Sequence, residues 1–186
     1  MFVRMTRLAF ALAALALLTR PGTAGELANP DGPVVLTVSG NIAQTNRAPF
    51  DPVRDAFLKY HEKAFEKAAE FDHAMLEALG MHEVKLASKN WPGAPRFEGP
   101  MLKDVLAAAG AAGKTVTVYA LDGYGAKITK DELEGRQWIL AIKRDGEYLK
   151  LGQRGPTLLA APHKGKVTSK SDESKWVWSA FYIEVE

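Results

Sequence analysis

The 186-residue chain contains no cysteine. That absence excludes a disulfide framework, a thiolate nucleophile and any cysteine-held metal. Histidine is scarce as well: only His61, His73, His82 and His163 occur, and no two stand in the H-x-x-x-H spacing that places two ligands on one helix face. His73 and His82 flank a short predicted helix and are the one pair placed to approach in space. Isolated histidines more often serve as surface or capping groups. No G-x-S-x-G elbow is present, so hydrolase chemistry has no support. Gly123 to Gly125 is glycine-rich but lacks the Lys-Ser/Thr of a phosphate loop. Repeats and low-complexity tracts are missing too. The longest apolar run, Leu8 to Leu18, is too short for a membrane span, which takes about 20 residues.

That run has another meaning. Arg4 and Arg7 precede it, and the small, polar segment Thr19 to Ala24 follows, broken by Pro21 and Gly22. A positive start, an apolar middle and a small-residue end form a secretory signal peptide. Gly22 and Ala24 fit the −3 and −1 positions of a cleavage before Gly25. Residues 1–24 are therefore expected to be a signal peptide, and 25–186 an exported domain in the periplasm or outside the cell. Arg4, Arg7 and Arg20 are three of the 24 basic residues, so 21 remain in the mature chain against 22 acidic ones. The apparent basicity thus belongs to the leader, and no nucleic-acid surface is implied. No membrane span is expected in the mature chain. An exported domain without disulfides must be held by its apolar core.

Within 25–186 the pattern mixes strands and helices without regular alternation, which predicts an α+β fold. Strands are expected at 34–39, 84–88, 115–120, 138–142, 157–162 and 176–185, from β-branched or alternating apolar runs. Helices are expected at 52–70, 72–79 and 100–109. The first has Asp51 as cap and Pro52 in its first turn, with Val53, Phe57, Tyr60, Ala64 and Ala68 on one stripe. The third points Leu102, Val105 and Leu106 inward. Asp145-Gly146 is the strongest hairpin signal in the chain.

Four stretches in order carry a family resemblance: 71–79 (FDHAMLEAL), 97–110 (FEGPMLKDVLAAAG), 121–128 (LDGYGAKI), and 140–147 (LAIKRDGE) followed by 154–156 (RGP). Together they resemble the sulfite-oxidase-type molybdopterin-binding domain, from about Val34 to Glu186. The resemblance implies that fold, as a mixed sheet with short helices in a single domain. It also makes residues 52–70 an insertion, since small relatives run almost directly from the Thr-Asn loop to the Phe-Asp helix.

In that family one cysteine thiolate holds molybdenum, and a soft sulfur ligand is what such a site relies on. An ungapped match of 86–90 (LASKN) to the family segment Q-C-A-G-N places Ala87 at the cysteine position; a one-residue slip places Ser88 there. Alanine offers no ligand atom, whereas a serine alkoxide can ligate molybdenum in another enzyme family. Relatives that load the pterin in the cytoplasm leave folded by a route needing adjacent arginines. The leader here has Arg4 and Arg7 apart.

The resemblance marks Ala87, Ser88, Asn90, Trp91, Tyr124 and Arg154 as the lining of a vestigial cofactor cleft. No catalytic residue and no metal ligand is expected. Arg154 sits beside Gly155 and Pro156, a constrained turn that can aim a guanidinium at an anion. Lys143, Arg144 and Trp178 belong to the same neighbourhood, although salt bridges and core packing would equally explain them. Asp122 with Glu98 or Glu132 could pair as carboxylates, but turn and cap duties explain them better.

The favoured expectation is an exported, non-catalytic binding module with no cofactor, taking a small anionic ligand or a protein partner. A membrane sensor protein is one such partner, and self-association through helix 52–70 is another. The alternative is a periplasmic oxidoreductase that binds a molybdopterin-type cofactor without a cysteine ligand.

Overall fold

The computed structural model describes residues 27–88, 91–162 and 173–186. The expected leader, Asn90 and His163 lie outside them. Among the described residues no helix is long and apolar enough to cross a membrane.

Among the described residues eleven strands and four short helices follow in order: β1 (Leu36–Gly40), α1 (Ala56–Tyr60), β2 (Ala68–Phe71), α2 (His73–Ala78), β3 (His82–Lys85), β4 (Arg96–Gly99), α3 (Leu102–Ala108), β5 (Val116–Ala120), β6 (Gly125–Ile128), α4 (Lys130–Gly135), β7 (Ile139–Ala141), β8 (Lys143–Arg144), β9 (Glu147–Tyr148), β10 (Thr157–Ala160) and β11 (Val177–Val185). This is the expected α+β architecture. The nine-residue β11 is its trunk. The C-terminal half of β11 lies between parallel β1 and antiparallel β5, and its start pairs with β10. β2 extends the sheet beyond β1, β7 extends it beyond β10, and β6 pairs with β5. A smaller sheet runs β3-β4-β8-β9. It joins the first because β7 leads directly into β8 and Ile142 N–H donates to Glu98 O at 2.8 Å.

The core lies between the large sheet and α3. Leu102, Val105 and Leu106 of α3 are fully buried with Leu36, Val38, Ile139, Leu140, Leu158 and Ile183. Those three helix positions match the inward face read from the sequence. Asp145 and Gly146 both adopt positive φ between β8 and β9, the geometry that suits a two-residue hairpin to the strand twist. The structure adds elements that the sequence pattern did not yield, β4 and α4 among them. The signal for α4 was present: Thr129 and Glu132 form a reciprocal capping box.

The helix expected over 52–70 is corrected. Only Ala56–Tyr60 is helical, and 68–71 is a strand pairing antiparallel with β1. Helix α1 stops because Glu62 takes φ +55°. Glu62 N–H then bonds Lys59 O at 3.0 Å, and Lys63 N–H bonds Leu58 O at 2.9 Å. These two bonds satisfy the last carbonyls as a Schellman ending does. That ending normally advertises itself with glycine, and here a glutamate occupies the position, so no stop signal was legible. Of the expected stripe Ala68 is buried, but its buried neighbours are Leu58 and Phe65, which were not in it. Leu58, Phe65 and Ala68 pack with Phe181 and Tyr182, while Val53 and Tyr60 are 84% and 83% exposed. Asp51 does cap the entering turn, accepting from Val53 N–H at 2.8 Å and Arg54 N–H at 2.9 Å.

Arg47 ties this segment to the sheet. Its guanidinium bridges Asp55, just before α1, and Glu70 on β2, with all three side chains largely buried. Removing the arginine would leave two shielded carboxylates without their cation. Arg47→Met should therefore cost about 1.5–3 kcal/mol, read as a fall of roughly 3–12 °C in the unfolding midpoint by calorimetry. An unchanged midpoint would mean that the apolar contacts of Leu58 and Phe65 hold the segment by themselves.

Candidate functional site

Two turns bring the site together. Between β9 and β10 the chain folds tightly: Gln153 N–H and Gly155 N–H both donate to Lys150 O, at 2.8 and 3.1 Å. A Cβ at residue 155 would lie 2.4 Å from Leu149 O, so only glycine permits this close approach. Arg154 takes φ +68° and the Gly155–Pro156 peptide is cis. On β11, Ser179 also takes positive φ, and its N–H donates to Arg154 O at 2.8 Å. The backbone thus fixes Arg154 from both sides and sets it beside Trp178.

The Arg154 guanidinium lies between two indoles, its carbon 4.8 Å from the Trp91 ring centre and 4.6 Å from that of Trp178. Trp91 in turn packs on Phe97 and Trp176, at 5.5 and 5.8 Å between ring centres. Stacking on aromatic faces attracts the cation but supplies no hydrogen-bond acceptor. Among the described residues Arg154 has no carboxylate partner. Its Nε, like Trp91 Nε1, is buried without an acceptor. Burial, and secondarily the neighbouring Arg144 charge, disfavour the protonated form relative to a free arginine. Arginine nevertheless stays charged at neutral pH. A shielded cation with unmet donors suits an anion.

Arg144 and Arg154 both line an open cavity of about 400 Å³ beside the β8–β9 hairpin. Lys143, the other basic residue of that stretch, is already committed. Its ammonium pairs with Glu77 at 2.6 Å, and the Tyr148 hydroxyl donates to the same carboxylate oxygen at 2.6 Å. Those two bonds hold the Glu77 carboxyl below the usual carboxylate range, and the Glu77 contact raises Lys143.

The remaining expected residues fall around this centre. Ala87 is exposed. Ser88 is buried, and its hydroxyl donates to Glu173 at 2.9 Å. Tyr124, in the β5–β6 connection, is part-exposed and donates its hydroxyl to the carbonyl of Ser174. Ser88 and Tyr124 are thus tied to adjacent residues before β11, while Trp91 and Arg154 touch directly. Asp122 and Glu132 have turn and cap duties: Asp122 accepts from Tyr124 N–H at 3.0 Å, and Glu132 completes the box at α4 and pairs with Lys175. His73 stacks against Tyr148 at 4.4 Å between rings, whereas His82 lines a different cavity with Trp138. Among the described residues no three His, Asp or Glu side chains converge as metal ligands would.

A single α+β domain whose two sheets share the trunk strand's core, with a cleft opening at the β9–β10 turn, defines the class. The chain belongs to the oxidoreductase molybdopterin binding domain family, whose model matches residues 36–180. No curated protein matches it. Among solved structures, the sulfane dehydrogenase SoxCD from Paracoccus pantotrophus is similar at 16% identity with a TM-score of 0.49. The match covers 81% of this chain and 37% of that one, so the chain spans well under half of that protein's length.

The family name implies a molybdopterin cofactor, and the residues present do not fit its metal. The chain has no sulfur donor of the thiolate kind. Of the two candidate positions, Ala87 carries no ligand atom, and the Ser88 hydroxyl is spent as a donor to Glu173. A serine hydroxyl must lose its proton to ligate molybdenum as an alkoxide, and a carboxylate that accepts a hydrogen bond from it raises the cost of that loss.

Proposed function

We propose that this chain is an exported, non-catalytic binding module that retains the family's cleft and holds a small anionic ligand there. The observation that carries the reading is the Arg154 guanidinium, stacked between Trp91 and Trp178 with no carboxylate among the described residues to neutralise it. An arginine kept only for stability would be expected to pair; one kept for a ligand leaves its fork open. The donor set at Ala87 and Ser88 supports the same reading, because it offers molybdenum nothing soft. The anion site carries the reading, and a protein partner for the exposed inserted segment is secondary to it.

The reading separates from a molybdopterin-dependent oxidoreductase by one measurement. Protein isolated from the compartment where it matures, analysed for metals by mass spectrometry, should carry no stoichiometric molybdenum. It should also show no sulfite oxidation. Stoichiometric molybdenum that disappears on Ser88→Ala would overturn the proposal and make Ser88 the ligand.

A further inference from the structure

The cavity beside Arg154 carries both signs of charge, and only part of that charge is internally neutralised. Its wall includes Arg144, Arg154, Asp145 and Glu147. Arg144 and Asp145 face each other, Nε to Oδ2 at 3.3 Å, and Asp145 Oδ1 also accepts from Arg96 N–H at 3.1 Å. Two groups are left over. One is Arg154, with its unmet donors. The other is Glu147, which stands opposite Arg144 in the β8–β9 register yet whose carboxylate makes no ion pair or hydrogen bond among the described residues. One open cation and one open carboxylate therefore border the same space.

Such a wall selects by repulsion as well as attraction. A phosphate or dicarboxylate would gain Arg154 but be pushed away by Glu147. A simple amine would gain Glu147 but be pushed away by Arg154. A molecule carrying one carboxylate and one ammonium satisfies both and adds no net charge to a partly shielded site. The space, about 400 Å³, exceeds what those two groups occupy and leaves room for a side chain. Resting on the reading of this cleft as an anion site, we infer that its ligand is a small zwitterion of the amino-acid class. The carboxylate is held by the Arg154 fork and the ammonium by Glu147.

The test is titration calorimetry on the mature chain with glycine, L-leucine and 4-aminobutyrate, following tryptophan emission in parallel because Trp91 and Trp178 flank the guanidinium. At least one of the three should bind saturably. Its N-acetyl derivative, which keeps the carboxylate and loses the positive charge, should bind at least about tenfold more weakly. Glu147→Gln should abolish that preference by weakening the parent compound and, with the repulsion gone, strengthening the acetylated form, and it should leave the unfolding midpoint in place, because Glu147 is exposed. Equal binding of parent and acetylated forms would overturn the zwitterion while the anion site stands, and a preference that survives Glu147→Gln would overturn Glu147 as the group that holds the ammonium. Binding that persists undiminished in Arg154→Ala would overturn the anion site itself. No saturable binding of any of the three zwitterions would also overturn the inference.

Discussion

Asp72→Ala should lower the thermal unfolding midpoint by roughly 6–20 °C, the largest stability effect expected from a single polar substitution in this domain. Asp72 is 2% exposed and its carboxylate accepts three backbone N–H groups. Oδ1 caps α2 through Met75 at 2.8 Å, and Oδ2 takes Asp31 at 2.9 Å and Gly32 at 2.7 Å. The side chain therefore fixes both a helix start and the segment leading into β1, some 40 residues away in sequence. Alanine leaves three donors without their acceptor. Hydrogen bonds to a charged group contribute about 1.5–3 kcal/mol each, and because they share one acceptor a total near 3–5 kcal/mol is reasonable. At about 2–4 °C per kcal/mol for a domain of this size, the stated shift follows. The pH dependence carries a second signature. The Met75 bond, followed by those of Gly32 and Asp31, holds the Asp72 carboxyl below its ordinary range despite burial. A depressed native value means that the unfolded chain binds the proton more tightly. The stabilisation is thus present above the unfolded value, about 3.9, and is lost as pH falls through the native one. Asp72→Asn should flatten the acid limb of the stability curve. An Asp72→Ala variant that melts like the parent would show that core packing alone places this corner.

Arg154→Ala should weaken ligand binding by roughly tenfold to a hundredfold with little change in melting temperature. The reason is geometric. Positive φ at Arg154, the Gly155 contact with Leu149 and the Ser179 bond fix the backbone before any ligand arrives. Trp91 and Trp178 fix the guanidinium plane. A pre-organised fork loses little entropy on meeting an anion, and the charge-assisted contact is worth about 1.5–3 kcal/mol. Alanine removes two exposed-to-partly-buried stacking contacts but no ion pair, so stability moves little. Arg154→Lys separates the two contributions: it retains charge and loses the planar fork, and should recover only a minority of the affinity. A variant that lost stability and kept its affinity would make Arg154 a structural residue and dissolve the site.

The sequence determined much of this protein by local rules. Apolar runs placed the strands at 116–120, 139–141, 157–160 and 177–185 and the inward face of α3, because burial on a sheet or helix face imposes a period the residues must obey. Asp145-Gly146 fixed a hairpin, and the absence of cysteine removed the thiolate chemistry of the family without any need of coordinates. Resemblance and turn chemistry singled out Arg154 and Trp91 as candidates, and the structure brings the two into contact. What only the tertiary structure decided depends on residues distant in the chain. Residues 52–70 looked like one long helix because their stripe has helical spacing. A glutamate in the left-handed region ended it after one turn, and packing of Leu58 and Phe65 on β11 outweighed the stripe. The partners of the charged groups were likewise invisible. Nothing in the sequence shows that Lys143 is consumed by Glu77 while Arg154, eleven positions on, meets two indoles and, among the described residues, no acid. Local spacing fixes which face a side chain takes; whether its charge is spent on a neighbour or left for a ligand is settled by long-range contacts, here by β11 bringing Trp178 to the β9–β10 turn.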